Sequence, residues 1–158
     1  KVGTGGDNVE IDISDAEAVA NTTMLTDGNG DQVTAAASAV QELVVGAGGT
    51  MSGTANTIVV MTGGTFADNS ALIEAISSDG TVTTSDLAWT ATTPANADAI
   101  TLVYSDGNNS YIVSVADALG ATNLTLEKAD LTVTTLVELT GISSIAAGDM
   151  VSGNFDFV

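Results

Sequence analysis

Short stretches in which apolar and polar residues alternate recur along the chain, and they predict strands. Residues 9–13 alternate apolar with acidic side chains, which is typical of a strand with one face in water. Residues 57–61 form an unbroken apolar run, which indicates a strand buried on both faces. Residues 100–104 and 111–115 flank a loop rich in Asp, Asn and Gly, and this arrangement predicts a hairpin. Residues 154–158 alternate again and predict a final strand.

One segment, at about residues 68–77, carries a helical pattern. Asp68 or Asn69 can cap its N-terminus, because a short polar side chain can accept a hydrogen bond from the first free backbone N–H groups. Leu72, Ile73 and Ile76 share one face of such a helix and predict the side that packs on the core.

The N-terminal part of the chain allows two interpretations. Residues 19–26 and 32–45 flank a turn at residues 27–31, as in a hairpin, yet the Ala-rich residues 35–45 favour a short helix by propensity alone. The glycine-rich residues 46–53 predict a loop and a boundary. We therefore divide the chain into an N-terminal strand or hairpin segment, 1–47, and a β-rich C-terminal module, 48–158. The segment is either part of the same domain or a separate lobe.

Turn signals recur about every 8–12 residues without a strict long repeat, and this spacing indicates the expected fold class. We predict a mainly β domain, a β-sandwich or β-roll-like arrangement of many short strands with one short helix.

The charged residues narrow the function. The chain has 2 Lys or Arg and 20 Asp or Glu, with no His and no Cys, for a net charge of -18. It therefore lacks an imidazole base, a thiol nucleophile and an arginine that could clamp phosphate, and we predict that it is not an enzyme. Its charge repels nucleic acid and anionic membrane surfaces. No apolar run is long enough to span a bilayer, so we predict no membrane insertion.

A hard cation held by oxygen is the inorganic partner that this composition favours. Asp27, Asn29 and Asp31 alternate with glycines, so a tight loop could turn three oxygens toward one Ca²⁺. The same residues also suit a plain hairpin turn, and the EF-hand pattern is not met, because Gln32 and Ser38 stand where it needs Gly and Glu.

A second loop repeats this spacing in weaker form. Asp106, Asn108 and Ser110 include a single carboxylate, so a turn is the favoured interpretation there.

Residues 56–158 resemble the C-terminal region of bacterial exoproteins exported by type I secretion, the acidic RTX-like (hemolysin-type calcium-binding) and surface-layer proteins. The resemblance is carried by NTIVVMTG at 56–63 with the helix that follows, LVYSDG at 102–107, DLTV at 130–133, and GD at 148–149 with NFDFV at 154–158. It implies a bacterial, extracellular, calcium-associated and β-rich protein whose last residues resemble an uncleaved export signal. The nonapeptide repeats of the family are absent from this chain.

These observations lead to three hypotheses. The first is an extracellular structural protein, a subunit of a filament or surface lattice on the bacterial cell surface. It would self-associate through strand edges or terminal strands, with calcium relieving the repulsion between copies. The residues expected in those assembly strands are Val9, Ile11, Ile13, Phe155, Phe157 and Val158.

The alternative hypothesis is the secretion or anchoring module of a larger RTX-like adhesin or exoenzyme. A carbohydrate-binding or carbohydrate-active domain is a third hypothesis, and it requires carboxylates facing a cleft with Trp89 or a tyrosine.

Overall fold

The computed structural model describes residues 9–11, 39–47, 49–51, 57–77, 79–80, 87–89, 99–117, 127–151 and 154–157. These residues contain nine strands and one helix: β1 (Val9–Ile11), β2 (Ala39–Val44), β3 (Gly49–Met51), β4 (Thr57–Thr62), α1 (Asn69–Ile76), β5 (Leu87–Trp89), β6 (Ala99–Ser105), β7 (Ser110–Asp117), β8 (Leu131–Leu139) and β9 (Phe155–Phe157). The predicted mainly β class with one short helix is confirmed.

A five-stranded mixed sheet organises the described residues, with strand order β2-β4-β6-β7-β8. β2, β4 and β6 run parallel, whereas β6, β7 and β8 form antiparallel pairs. β6 and β7 are the predicted hairpin, with Tyr104 opposite Tyr111 near its loop. Two small parallel pairs, β1 with β9 and β3 with β5, complete the described strands.

The helix forms where its pattern predicts and covers one face of the sheet. Asp68 caps it, because its Oδ1 accepts a hydrogen bond from the Ala71 backbone N–H at 2.8 Å. The helix ends at Ile76 and is capped by Ser77, whose backbone N–H and hydroxyl both donate to the Ile73 carbonyl. Its Leu72 and Ile76 are completely buried. They pack in a cluster with sheet residues that include Val59, Met61, Leu102, Val113 and Val115.

The opposite face of the sheet is covered by the end of the chain. Ile145, Met150 and Phe155 pack there against a second buried cluster of Ile58, Val60, Val103 and Ile112. β4 therefore has core on both of its faces, as its unbroken apolar run predicts.

The Ala-rich segment is a strand in its described part, so a helix over residues 35–45 is wrong. Ala39–Val44 pairs in parallel with β4 over six residues, from Ala39 beside Thr57 to Val44 beside Thr62. Alanine has the highest helix propensity of all residues, but tertiary pairing with a buried strand outweighs that local preference. This strand precedes the glycine-rich residues 46–53, yet it belongs to the same sheet as β4 and β6.

Candidate functional site

The two tyrosines of the chain lie side by side on the β6–β7 hairpin. Tyr104 and Tyr111 are register partners, and directly opposed residues of an antiparallel pair share one face of the sheet. Their rings are stacked with centroids 5.3 Å apart, and Phe66 and Tyr104 form an edge-to-face pair with centroids 6.0 Å apart. Tyr104 is buried and Tyr111 is half-buried, so the pair has a core side and a surface side.

An open cleft of about 420 Å³ lies where these rings meet the N-terminus of α1. The lining residues are Ala67, Asp68, Asn69, Ser70, Tyr104, Tyr111 and Thr135. The cleft thus lies between the segment that follows parallel strand β4, the carboxyl end of β6 and the amino end of β7. Crevices outside the carboxyl ends of parallel strands are a recurrent place for ligands in open sheets.

A chain of hydrogen bonds ties the buried tyrosine to both neighbouring elements. The Tyr104 hydroxyl donates to Asn69 Oδ1 at 2.9 Å, and Asn69 Nδ2 donates to Thr135 Oγ1 at 3.2 Å. The first residue of the helix therefore connects β6 to β8, and it fixes the position of the phenol oxygen.

The second tyrosine is held by the loop that joins the two strands. The Tyr111 hydroxyl donates to Asp106 Oδ2 at 2.9 Å, while Asp106 Oδ1 accepts from the backbone N–H groups of Asn108 and Asn109, each at 2.7 Å. The Asn109 and Asn108 N–H groups and the Tyr111 hydroxyl stabilise the charged carboxylate, so they lower the pKa of Asp106. The carboxylate therefore stays ionised beside the phenol at neutral pH.

A β-bulge in β8 determines which of its side chains face the cleft. Ile112 pairs with Val137 but Val113 pairs with Thr135, so β8 carries one extra residue at Leu136. Because of this shift, Thr135 lines the cleft and Glu138 is the register partner of Tyr111. Glu138 Oε1 accepts a hydrogen bond from Asn109 Nδ2 at 2.8 Å and so adds a second carboxylate beside the Asp106 loop.

The surroundings of Tyr104 keep its phenol neutral. Burial raises the pKa of Tyr104 to about 12, with further contributions from Tyr111 and from the negative charges of Asp68 and Asp106. The phenol is therefore a hydrogen-bonding group at physiological pH and carries no charge.

In the weaker calcium candidate, the side chains of Asp106 and Ser110 both form hydrogen bonds within the protein. Asp106 accepts three hydrogen bonds, as described above, whereas the buried Ser110 hydroxyl donates to the Ile142 carbonyl at 2.7 Å. Asn108 contributes its backbone N–H to the Asp106 turn. These hydrogen bonds explain why the loop contains Asp, Asn and Ser, since such residues stabilise turns.

The stronger calcium candidate, Asp27, Asn29 and Asp31, lies outside the described residues. Within the described residues no group of three or more Asp, Glu, His or Cys side chains is arranged to hold a metal ion. Trp89 lies in β5, and its side chain is not among those described.

The predicted assembly strands are paired with each other in one chain. Val9 is the register partner of Phe155, Glu10 of Asp156 and Ile11 of Phe157. Phe155 is buried in the core cluster on the face opposite α1. Ile13 and Val158 lie outside the described residues.

The tyrosine cleft was missed by the sequence interpretation. The positions of Tyr104 and Tyr111, equidistant from the hairpin loop, are the signal that could have paired them. No local pattern brings Asn69 to Tyr104 or to Thr135, which are 35 and 66 residues away along the chain.

Comparison with models of protein families, with curated proteins and with solved structures gives no match to this chain. Among the described residues, no helix has the length and apolar character needed to cross a bilayer.

Proposed function

We propose that this chain is an extracellular structural protein, a subunit of a secreted filament or surface lattice, whose copies are joined by exchange of strand β1. The observation that carries the proposal is the parallel pairing of β1 with β9. In an exchanged assembly, β1 of one copy would form the same pairing with β9 of the next copy, as in other cases of strand addition.

The structure shows how β9 is held by the rest of the fold. β9 is anchored, because Asn154 and Phe155 are buried and Asn154 Oδ1 accepts a hydrogen bond from the Val151 N–H at 2.9 Å. In the described part of the chain, β1 has no strand neighbour other than β9. We therefore propose β9 as the fixed acceptor and β1 as the strand that is exchanged.

The chain between β1 and β2 is long enough for such an exchange. Residues 12–38 connect the two strands, and a fully extended segment of that length spans at most roughly 90 Å. This limit exceeds the diameter of a small domain, so the connection does not prevent β1 from reaching a neighbouring copy.

The charges at the proposed joint, the pairing of β1 from one copy with β9 of the next, support a role for cations. Glu10 and Asp156 are register partners, and like charges in opposed positions weaken a strand pair. The net charge of -18 adds repulsion between whole copies. We propose that calcium, at Asp27, Asn29 and Asp31 or bound diffusely, reduces this repulsion during assembly.

Two single-cysteine variants test the exchange directly, because the chain has no cysteine of its own. We expect Glu10→Cys and Asp156→Cys chains, mixed under assembling conditions and oxidised, to form a disulfide-linked heterodimer. Register partners in neighbouring strands lie within the Cα separation that a disulfide spans. The measurement is the mass of the non-reduced product, made beside electron microscopy of the same sample.

The matched control replaces Asp156→Cys with Asp149→Cys, an exposed acid in the turn at residues 146–149. If Glu10→Cys chains cross-link to Asp149→Cys chains as readily as to Asp156→Cys chains, the disulfides come from random collisions between copies. If the double variant Glu10→Cys/Asp156→Cys cross-links only within single chains while filaments are present, β1 is not the joint.

The resemblance of residues 56–158 favours a second candidate, the secretion or anchoring module of a larger RTX-like exoprotein. These residues include four strands of the five-stranded sheet and the helix, so the resemblance covers most of the folded core. A native polypeptide whose mass equals that of this chain would count against this candidate, and a much larger one would support it.

A further inference from the structure

The phenol oxygens of the cleft have no hydrogen left to donate. A tyrosine hydroxyl has a single hydrogen, and Tyr104 gives it to Asn69 whereas Tyr111 gives it to Asp106. Both phenol oxygens can therefore only accept a hydrogen bond from a ligand. A ligand that meets them must bring N–H or O–H donors.

The electrostatic potential of the cleft is negative. Asp68 lines it, and the charges of Asp68 and Asp106 both act on the Tyr104 phenol. The N-terminus of α1 contributes roughly half a positive charge, which the capping carboxylate of Asp68 more than offsets. The described residues that line the cleft include no lysine or arginine, and Lys128, the basic residue of the described part, pairs with Glu74. A positive ligand is thus favoured over a neutral or negative one.

The tyrosine pair adds an aromatic wall to this acceptor-rich cleft. The face of a tyrosine ring attracts a cation that lies within about 6 Å of its centre. Tyr111 is half-buried, so part of its ring remains accessible, while stacking on Tyr104 fixes its orientation. A carboxylate beside an aromatic ring suits an alkyl chain that ends in a charged amine.

We propose that the cleft between Tyr104, Tyr111 and Asp68 binds an organic ammonium cation. Its N–H groups donate to the phenol oxygens and to the Asp68 carboxylate, and its alkyl part lies along the Tyr111 ring. A hard metal ion is less suited, because it needs several oxygens converging at about 2.3–2.6 Å. The described residues contain no such group of acidic side chains. This site is independent of strand exchange, since β1 and β9 contribute nothing to its lining.

The composition of the chain makes the cleft easy to observe. Both tyrosines of the protein line it, so fluorotyrosine labelling gives two fluorine NMR signals and both report on the cleft. The full chain is titrated with diaminohexane, with the neutral hexanediol of matched length, and with calcium chloride, all at constant ionic strength. We expect saturable shifts of both signals with diaminohexane and much smaller shifts with hexanediol and calcium.

Charge-removing variants show whether the cation binds in the cleft or only to an acidic protein. Asp68→Asn keeps a helix-capping side chain but removes the charge, so the fold is retained. We expect it to raise the dissociation constant of diaminohexane about tenfold, because one charge-assisted hydrogen bond to the ligand is lost. Asp149→Asn removes an equal charge from a turn whose neighbours Ile145 and Met150 pack on the opposite face of the sheet, and it should leave the constant unchanged.

Three outcomes would overturn the proposal. Equal weakening by Asp68→Asn and Asp149→Asn would mean diffuse attraction to a protein of net charge -18. Shifts of equal size with hexanediol would identify a site for hydroxyl donors of the carbohydrate type. Saturable shifts with calcium alone would identify a metal site.

Discussion

At the scale of single residues, the least ordinary environment belongs to Tyr104. Its ring is buried between Phe66 and Tyr111, and its hydroxyl is committed to Asn69. Burial and nearby negative charge act in the same direction, because both disfavour the phenolate. The residue therefore stabilises the fold as a neutral hydrogen-bond donor.

This environment predicts a loss of stability in strong alkali. The pKa of Tyr104 is raised to about 12 in the folded chain, whereas an unfolded tyrosine ionises near pH 10. Between these values only the unfolded chain releases the proton, so the free energy of unfolding should fall as pH rises from about 10 to about 12. Below about pH 10 the contribution is fully present.

The measurement is an ultraviolet titration of Tyr111→Phe, which leaves Tyr104 as the single tyrosine. Its tyrosinate absorbance should appear well above pH 10 in the folded protein and near pH 10 in denaturant. In equilibrium denaturation, the free energy of unfolding of Tyr104→Phe should fall less between about pH 10 and about pH 12 than that of the unsubstituted protein, because the ionisation of Tyr104 no longer contributes. A Tyr104 that titrates near pH 10 while the protein is folded would contradict its burial.

At the scale of elements, the helix and the hairpin follow from local signals, whereas β2 and the cleft do not. Asp68 and the apolar face of α1 lie within one short segment, and so do the strands and loop of the β6–β7 hairpin. β2 depends on pairing with β4, whereas the Ala-rich sequence at residues 35–39 favours a helix by propensity. The bulge at Leu136, which directs Thr135 into the cleft, has no marker in the sequence.

The cap of α1 gives a prediction for this element alone. Asp68→Ala removes the acceptor of the Ala71 N–H and should lower the free energy of unfolding by about 1 kcal/mol. Asp68→Asn keeps an acceptor of similar geometry and should change it much less. The measurement is equilibrium denaturation of both variants, and equal losses would show that the charge matters more to the helix than the hydrogen bond.

At the scale of the whole molecule, charge and topology impose opposite tendencies. A net charge of -18 keeps copies apart, whereas β1, which pairs only with β9 among the described strands, offers a way to join them. The sequence identified the residues of both terminal strands, but not that they pair with each other, because their pairing spans almost the full chain. Assembly by strand exchange is therefore expected only where cations lower the repulsion.

The final prediction separates bound calcium from simple screening. We expect filaments or sheets in calcium at neutral pH and their loss after chelation, as seen by negative-stain electron microscopy. Sodium chloride at about 1 M reduces the Debye length to about 3 Å and removes most of the repulsion, but it supplies no divalent ligand. If calcium is bound at the joint, this salt should not restore the filaments, and acid of about pH 4 should disperse them because protonated carboxylates release the metal.

Filaments that persist at that pH in chelator would exclude calcium from the joint, and the cysteine cross-links would then decide strand exchange alone. Single particles under every condition, at high protein concentration, would contradict the structural function itself.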